Sequence, residues 1–492
     1  MALGIGYGLP FVAQHGTNSY KTQWAAAREG AKGAGATVED ENAGTGSCLV
    51  ARGQDVYTDG LPFTPSLLIV PQFYKEGNLY QDVPPFVAED LTMRFTVSRN
   101  TTATRVNSSG LIESVASGVP RLDWYATPAA QDAPATGCPA LLVEPSATNF
   151  ARWVNQMTAQ DTPTASGGMT ITTGSTDFLA PDGTSGSITK YVGGAASGTS
   201  QYAYYSGGLI TVTASGQHTF SLLVKRGATN PLTFCALGIE GFSGGSGTAY
   251  SYFNLASGTA LTAGASIQNY GNGWYRLISA PYTIASGDLT GQLAFYMAAT
   301  SGSLSFAASG ALNLTAYTWG AQLEAGSIAT TYIPTTTAAV SRAAETISAS
   351  GALVSGLIGQ TEGTMYFEVS DVKGVGTGTG NPALAIRDTG FTNWIGLISN
   401  SVSTPFRIQV RSTTTTLINY TSAIAEGKAA IAYSASGAVV YVNGVEVAST
   451  ATNPNLTLNL VRMEQYMTFK VKSLALYTTR LSNDQLAELT RL

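Results

Sequence analysis

Histidine is nearly absent from this chain: His15 and His218 are the only two in 492 residues. A hydrolytic triad needs an imidazole held beside its nucleophile, so this scarcity argues against one. His218 opens a predicted strand and His15 lies in a glycine-rich arm, both ordinary structural positions. Cysteine is almost as rare. Cys48, Cys138 and Cys235 are odd in number and widely separated, which matches neither a disulfide framework nor metal-ligand spacing and predicts small buried apolar residues. Charge is also scarce, with 11% charged residues and a net charge of −5, where ordinary domains carry about 25%. There is no block of basic residues to neutralise phosphates, so no nucleic-acid partner is expected. No apolar run approaches a membrane span, and Met1 to Pro10 lacks the basic residues of a secretory signal; membrane insertion is not expected, and the protein should stay in the cytosol until assembly or release.

What fills the chain instead is glycine, at 55 positions, together with 44% hydrophobic and 10% aromatic residues. That apolar content is too high for a disordered Gly/Ser/Thr-rich polymer, and the length suits three or four domains. Residues 1–60 stand apart. Asn18 to Ala31 favours a short helix, capped by Asn18 or Ser19 and ended by Gly30 or Gly33. Gly4, Gly6 and Gly8 alternate with apolar residues ahead of it, as in either a frayed terminus or an arm that adds a strand to a neighbour. In residues 61–149, Phe95-Thr96-Val97 reads as a strand, Arg105-Val106 and Leu111-Ile112 flank an Asn107 to Gly110 turn, and Leu141-Leu142-Val143 leaves through Glu144-Pro145.

Several phrases here occur in fixed order: Ser66 to Pro71, Tyr74 to Tyr80, Ala103 to Asn107, Gly110 to Glu113, Val119 to Asp123 and Leu141 to Pro145. This tract resembles a module of tailed-bacteriophage virion proteins, especially tail or fibre components. The resemblance implies a structural part of a particle, assembled in the host cytoplasm with other virion proteins. It implies no catalytic role, and a homo-oligomer is expected, a trimer being the common arrangement for such fibres.

From 150 to 340, short β runs such as Ser187 to Val192, His218 to Val224, Tyr250 to Leu255 and Gln292 to Met297 alternate with Gly/Ser/Asn turns. Their spacing predicts a β-sandwich. The order Pro181 to Ser185, Phe220 to Lys225, Asn272 to Arg276, Gly320 to Gly326 and Thr331 to Thr335 resembles jelly-roll carbohydrate-binding modules of phage tail proteins. A Thr/Ala linker at Thr335 to Ser341 follows. From 345 to 492 a second sandwich is expected, with a type I′ hairpin at Asn443-Gly444 and a last strand, Phe469 to Tyr477, leading to a helix opened by the capping box Ser482 to Gln485. That ending resembles concanavalin-A-like, or laminin-G-like, lectin domains. The fold expected is therefore mostly β: two antiparallel sandwiches in tandem, jelly roll first, after an arm and a β attachment module.

Two carboxylates would suffice for a glycosidase. Asp182, Glu240, Glu324, Glu368 and Glu446 are the candidates, but each also has a plain role in a turn or on a strand. Sugar binding asks for aromatic faces with polar neighbours. Trp274, Tyr275, Tyr252 and Trp319 in the jelly roll, and Trp394 in the last domain, are the candidate glycan contacts; Trp274, between Gly273 and a strand, also reads as a core plug, the commoner role of a large aromatic. Asp177 or Asp182 could serve a structural calcium of the kind seen in the jelly-roll family, although no compact acidic loop is visible and no cofactor is otherwise expected. The function read from all this is a non-enzymatic virion component, a tail fibre or appendage, that binds host-surface glycan. The alternatives left open are a purely structural head-fibre, decoration or tail-wall protein, and a polysaccharide depolymerase.

Overall fold

A computed structural model describes residues 65–492 apart from 76–77, 84–86, 91–94, 129, 136, 153–167, 195–199, 243–246, 307–312, 375–379 and 414. The arm and helix expected in residues 1–60 lie outside the described residues. The fold is built from antiparallel strands, as the alternating apolar pattern predicts, and comprises two sandwiches.

The jelly roll has a seven-stranded sheet in the order Thr170–Ser175, Ile188–Val192, Thr315–Ala325, Gly216–Arg226, Trp274–Ile278, Ser266–Gly271, with Tyr282–Ile284 paired to Gly216–Arg226. Facing it are five strands, Gln201–Thr211, Thr290–Ala298, Phe234–Phe242, Gly247–Asn254 and Thr259–Ala260. Inward residues of both sheets, among them Phe220, Leu222, Phe253, Phe295 and Trp319, form one core. Cys235 is a free thiol within it, as expected, whereas Cys138 is disulfide-bonded and corrects the expectation of three isolated thiols.

The second sandwich packs a ten-stranded sheet against a seven-stranded one. Its local signals match the sequence. Asn443 and Gly444 both take positive φ, 50° and 84°, between Gly437–Val442 and Val445–Thr450, and Ser482 caps the helix Asn483–Leu489 in a reciprocal box with Gln485. The Asn107 turn likewise joins Ala103–Val106 to Ile112–Val115, with Gly110 at φ 77°.

Residues 61–149, expected as a module of their own, are instead divided. Their described strands Leu67–Lys75, Thr96–Ser98, Arg121–Asp123 and Ala140–Val143 complete this second sandwich, while the hairpin Ala103–Val106/Ile112–Val115 sends Val106 and Ile112 into the jelly-roll core. Leu67–Lys75 and Ala140–Val143 both pair with Thr468–Tyr477, and Thr96–Ser98 adds an edge to Thr346–Ser350. Leu67, Ile69, Leu122, Leu141 and Val143 are fully buried in its core. Strands this short cannot bury a core alone, so they borrow one. The jelly roll is then an insertion: the chain leaves through Ala147–Asn149 and returns through Val340–Arg342, and these two strands pair with each other. Adjacent exit and entry points are what such an insertion requires.

Where the sandwiches meet, Arg121 and Glu144 join Arg99, Arg342 and Glu345 in a buried ionic node. Arg121 Nε donates to Glu345 Oε1 at 2.7 Å and Nη2 to Glu144 Oε2 at 2.8 Å. Arg99 Nη1 donates to Glu345 Oε1 at 2.6 Å, and Arg342 Nη1 lies 2.8 Å from Glu144 Oε2. The jelly roll contributes Thr331, whose N–H and hydroxyl both donate to Glu144. The arginine and glutamate side chains of the node are at most 2% exposed. Burial opposes charge on Glu144, but Arg342 and Arg121, helped by Thr331, outweigh it and hold the carboxyl far below its usual range. Burial likewise opposes charge on Arg121, and Glu345 and Glu144 keep it protonated. A paired node of this kind locks one arrangement, because removing any member strands a buried charge.

Candidate functional site

Four of the five aromatic residues predicted to contact glycan are buried. Trp274, Trp319 and Trp394 are 2%, 2% and 5% exposed, and Tyr275 is 6% exposed. Trp274 Nε1 donates to Leu179 O, Trp319 lies 4.5 Å from the Tyr332 ring, and Trp394 donates to Gln409 beneath the Arg411 guanidinium. Trp274, Tyr275 and Trp319 belong to the jelly-roll core, whereas Trp394 alternates with the core residues Ile395 and Leu397 and is covered on the outer side of its sheet by Arg411, so none of these four offers a face for a sugar to stack on.

Tyr252 differs, because strand alternation turns it to the outer face of the five-stranded jelly-roll sheet while Ser251 and Phe253 point inward. There it joins Tyr202, Tyr204, Tyr250 and Tyr296 around the small residues Ala236 and Ala294, with Leu304 packed against the group. Register explains the arrangement. In one row Tyr202 lies opposite Tyr296, Tyr296 opposite Ala236, and Ala236 opposite Tyr252; in the next, Tyr204, Ala294, Gly238 and Tyr250 follow in the same way. Tyr204 and Tyr250 thus stand on either side of a floor of Ala294 and Gly238, with their backbones about 14 Å apart across the sheet at the usual strand spacing. The rings form a continuous chain, with centroids of Tyr202 5.1 Å from Tyr204 and 4.8 Å from Tyr296, and Tyr250 5.3 Å from Tyr296. Tyr202, Tyr204, Tyr250 and Tyr252 remain partly open to solvent.

Glu240 completes this platform. Tyr204 donates its hydroxyl to Glu240 Oε2 at 3.0 Å, and Tyr296 and Tyr250 interact with the same carboxylate. Burial raises the Tyr204 and Tyr296 phenols above their ordinary range and Glu240 adds to the effect, so both stay protonated. Glu240 Oε1 is buried with no hydrogen-bond partner. Sequence reasoning took Tyr252 and named Glu240 only as a carboxylate. It missed Tyr202, Tyr204, Tyr250 and Tyr296, although the alternation in Tyr202-Ala203-Tyr204 and Tyr250-Ser251-Tyr252 placed each pair on one face.

The remaining carboxylates are dispersed. Asp182 accepts from Thr184 in a turn, Glu324 is buried against Gln322 and Thr330, Glu368 pairs with Lys472, and Glu446 accepts from Tyr441 on an exposed hairpin strand. Asp177 is engaged by Lys190 and the Tyr317 hydroxyl, each at 2.7 Å. A larger cleft of about 840 Å³ lies on the second sandwich by Tyr125, Glu368 and Lys470. Its lysines are engaged, Lys470 by Asp123 and Asp371, Lys472 by Glu368 and Glu426, and Lys428 by the Arg491 carbonyl.

No protein-family model matches the sequence, and no curated protein matches it. Among solved structures, the chain is similar to the binding domain of botulinum neurotoxin DC in complex with SialylT, at 11% identity and a TM-score of 0.23, with 30% of this chain and 39% of that one covered. It is also similar to the botulinum neurotoxin serotype C1 binding domain, at 11% identity and a TM-score of 0.24, over 30% and 40%. A mutant of NanB sialidase from Streptococcus pneumoniae aligns at 16% identity and a TM-score of 0.21, over 28% and 26%. The chain thus spans about two fifths of the length of the neurotoxin domains it matches.

Proposed function

We propose that this protein is a non-enzymatic adhesion component of a tailed-phage particle, a fibre or appendage, whose jelly roll binds host-surface glycan. The single observation that carries the binding reading is the chain of five tyrosines on an outer sheet face, around a floor of small residues. Pyranose rings stack on such faces, and the phenols and Glu240 supply the polar contacts that orient hydroxyl groups. The virion placement rests on the motif phrases of residues 66–149, two of whose residues, Arg121 and Glu144, belong to the ionic node between the sandwiches. Repetition in a homo-oligomer would turn weak single-site affinity into avidity.

Binding of the full chain to a glycan array tests the reading. Tyr250→Ala and Tyr252→Ala should abolish binding and leave the melting temperature nearly unchanged, whereas Trp274→Ala should lower the melting temperature through lost core. An array on which no glycan is retained, or retention indifferent to both tyrosine variants, would favour the purely structural alternative. Release of reducing ends from a bound polysaccharide would point to the depolymerase. Immunogold labelling of purified particles tests the virion placement, and absence of label from any particle would refute it.

A further inference from the structure

Among the residues of the five strands that carry the platform, Glu240 is the only charged one. Resting on the glycan-binding reading above, we propose that the platform takes neutral saccharides with adjacent hydroxyl donors and rejects anionic ones, and that Glu240 sets this preference.

Three features converge on it. The first is charge. A uronate, sialate or sulfate laid on the tyrosines meets a carboxylate with no basic residue on these strands to offset it, and like charges brought together away from bulk water repel strongly. The second is hydrogen-bond polarity. Because Tyr204 spends its proton on Glu240 Oε2, its oxygen turns lone pairs outward, and a phenol in that state accepts rather than donates. Sugar hydroxyls supply the matching donors, while an ionised acidic group has none. The third is room. A Cβ on Gly238 would lie 2.5 Å from Glu240 Oε1, so the glycine is what lets the carboxylate fold back onto the floor. Oε1 remains without a partner there although Glu240 is 6% exposed. An unpaired buried acceptor is costly, and a donor-rich ligand relieves it directly or by reordering the phenols around it.

Glu240 is thus a specificity-setting residue, and the informative readout is a ratio. The full chain is titrated with matched pairs: cellohexaose against its glucuronate counterpart, and N-acetyllactosamine against its sialylated form, within an array that also carries other neutral and acidic glycans. Wild type should prefer the neutral member of any bound pair by about tenfold or more, and the isosteric Glu240→Gln should bring that ratio to roughly threefold or less by strengthening the acidic member. Gly238→Ala, which displaces the carboxylate without removing it, should narrow the ratio as well and serves if Glu240→Gln does not fold. A side chain that only supported the fold would weaken both members together and leave the ratio unchanged, which overturns the proposal. Wild-type binding of acidic members as strong as neutral ones also overturns it, while tyrosine-dependent binding would still uphold the platform. Binding to no glycan at all removes the underlying reading instead.

Discussion

Each sandwich carries an outer sheet face lined by tyrosine and alanine, and the two faces have opposite fates. On the second sandwich Tyr366, Tyr441 and Tyr477 stand with Ala430, Ala432 and Ala475, and the segment holding Leu481, Leu486 and Leu489 lies across them as a roof. On the jelly roll Tyr202, Tyr204, Tyr250, Tyr252 and Tyr296 stand with Ala236 and Ala294, and four of the five rings stay partly exposed. The same residue types make a core in one place and a platform in the other. What separates them is the capped helix that follows one terminal strand.

The comparison can be broken first at its common support. Arg121→Met should cost about 3–5 kcal/mol, since Glu144 and Glu345 lose a buried partner; urea denaturation measures it, and a loss below about 1 kcal/mol would mean that the node does not lock the two sandwiches. Removing part of the roof should come next. Leu486→Ala should cost about 2–5 kcal/mol by leaving a cavity over Tyr366 and Tyr441, with glycan retention unchanged. The contribution of the node also depends on pH. Because the folded carboxyl of Glu144 sits below its unfolded value, the stability it adds is present above about pH 4.3 and fades as acid protonates it. Wild type should therefore exceed Glu144→Gln at neutral pH, and the gap should shrink steadily below about pH 5; a constant gap would show that the ionised form is not what matters. The smallest change in stability belongs to the open face. Tyr250→Ala should alter it by about 0.5 kcal/mol, as for a surface substitution, while removing binding: the mirror image of Leu486→Ala.

Much of this was legible along the chain. Asn443-Gly444, the Asn107 to Gly110 turn and the Ser482 box are local devices whose backbone demands are written in two to four adjacent residues, and each formed where expected. The antiparallel sandwich class followed from alternation and turn spacing in the same way. The candidate site was legible only in part. Tryptophan drew attention because it is large, yet size is also what drives burial: Trp274 and Trp319 went into the core and Trp394 lies covered by Arg411. Tyrosine alternation was the better signal, because a phenol tolerates a face that stays half in water.

By itself the sequence determined strand periodicity, turn positions, helix capping and a surface poor in charge, since these depend on neighbours a few residues apart. Only the tertiary structure decided that Leu67–Lys75 and Ala140–Val143 complete the second sandwich while Val106 and Ile112 join the jelly-roll core, that Arg121 meets Glu345, and that Glu240 lies among tyrosines drawn from three strands. Those outcomes depend on register between segments far apart in the chain, and a one-residue shift in strand pairing exchanges the buried face for the exposed one.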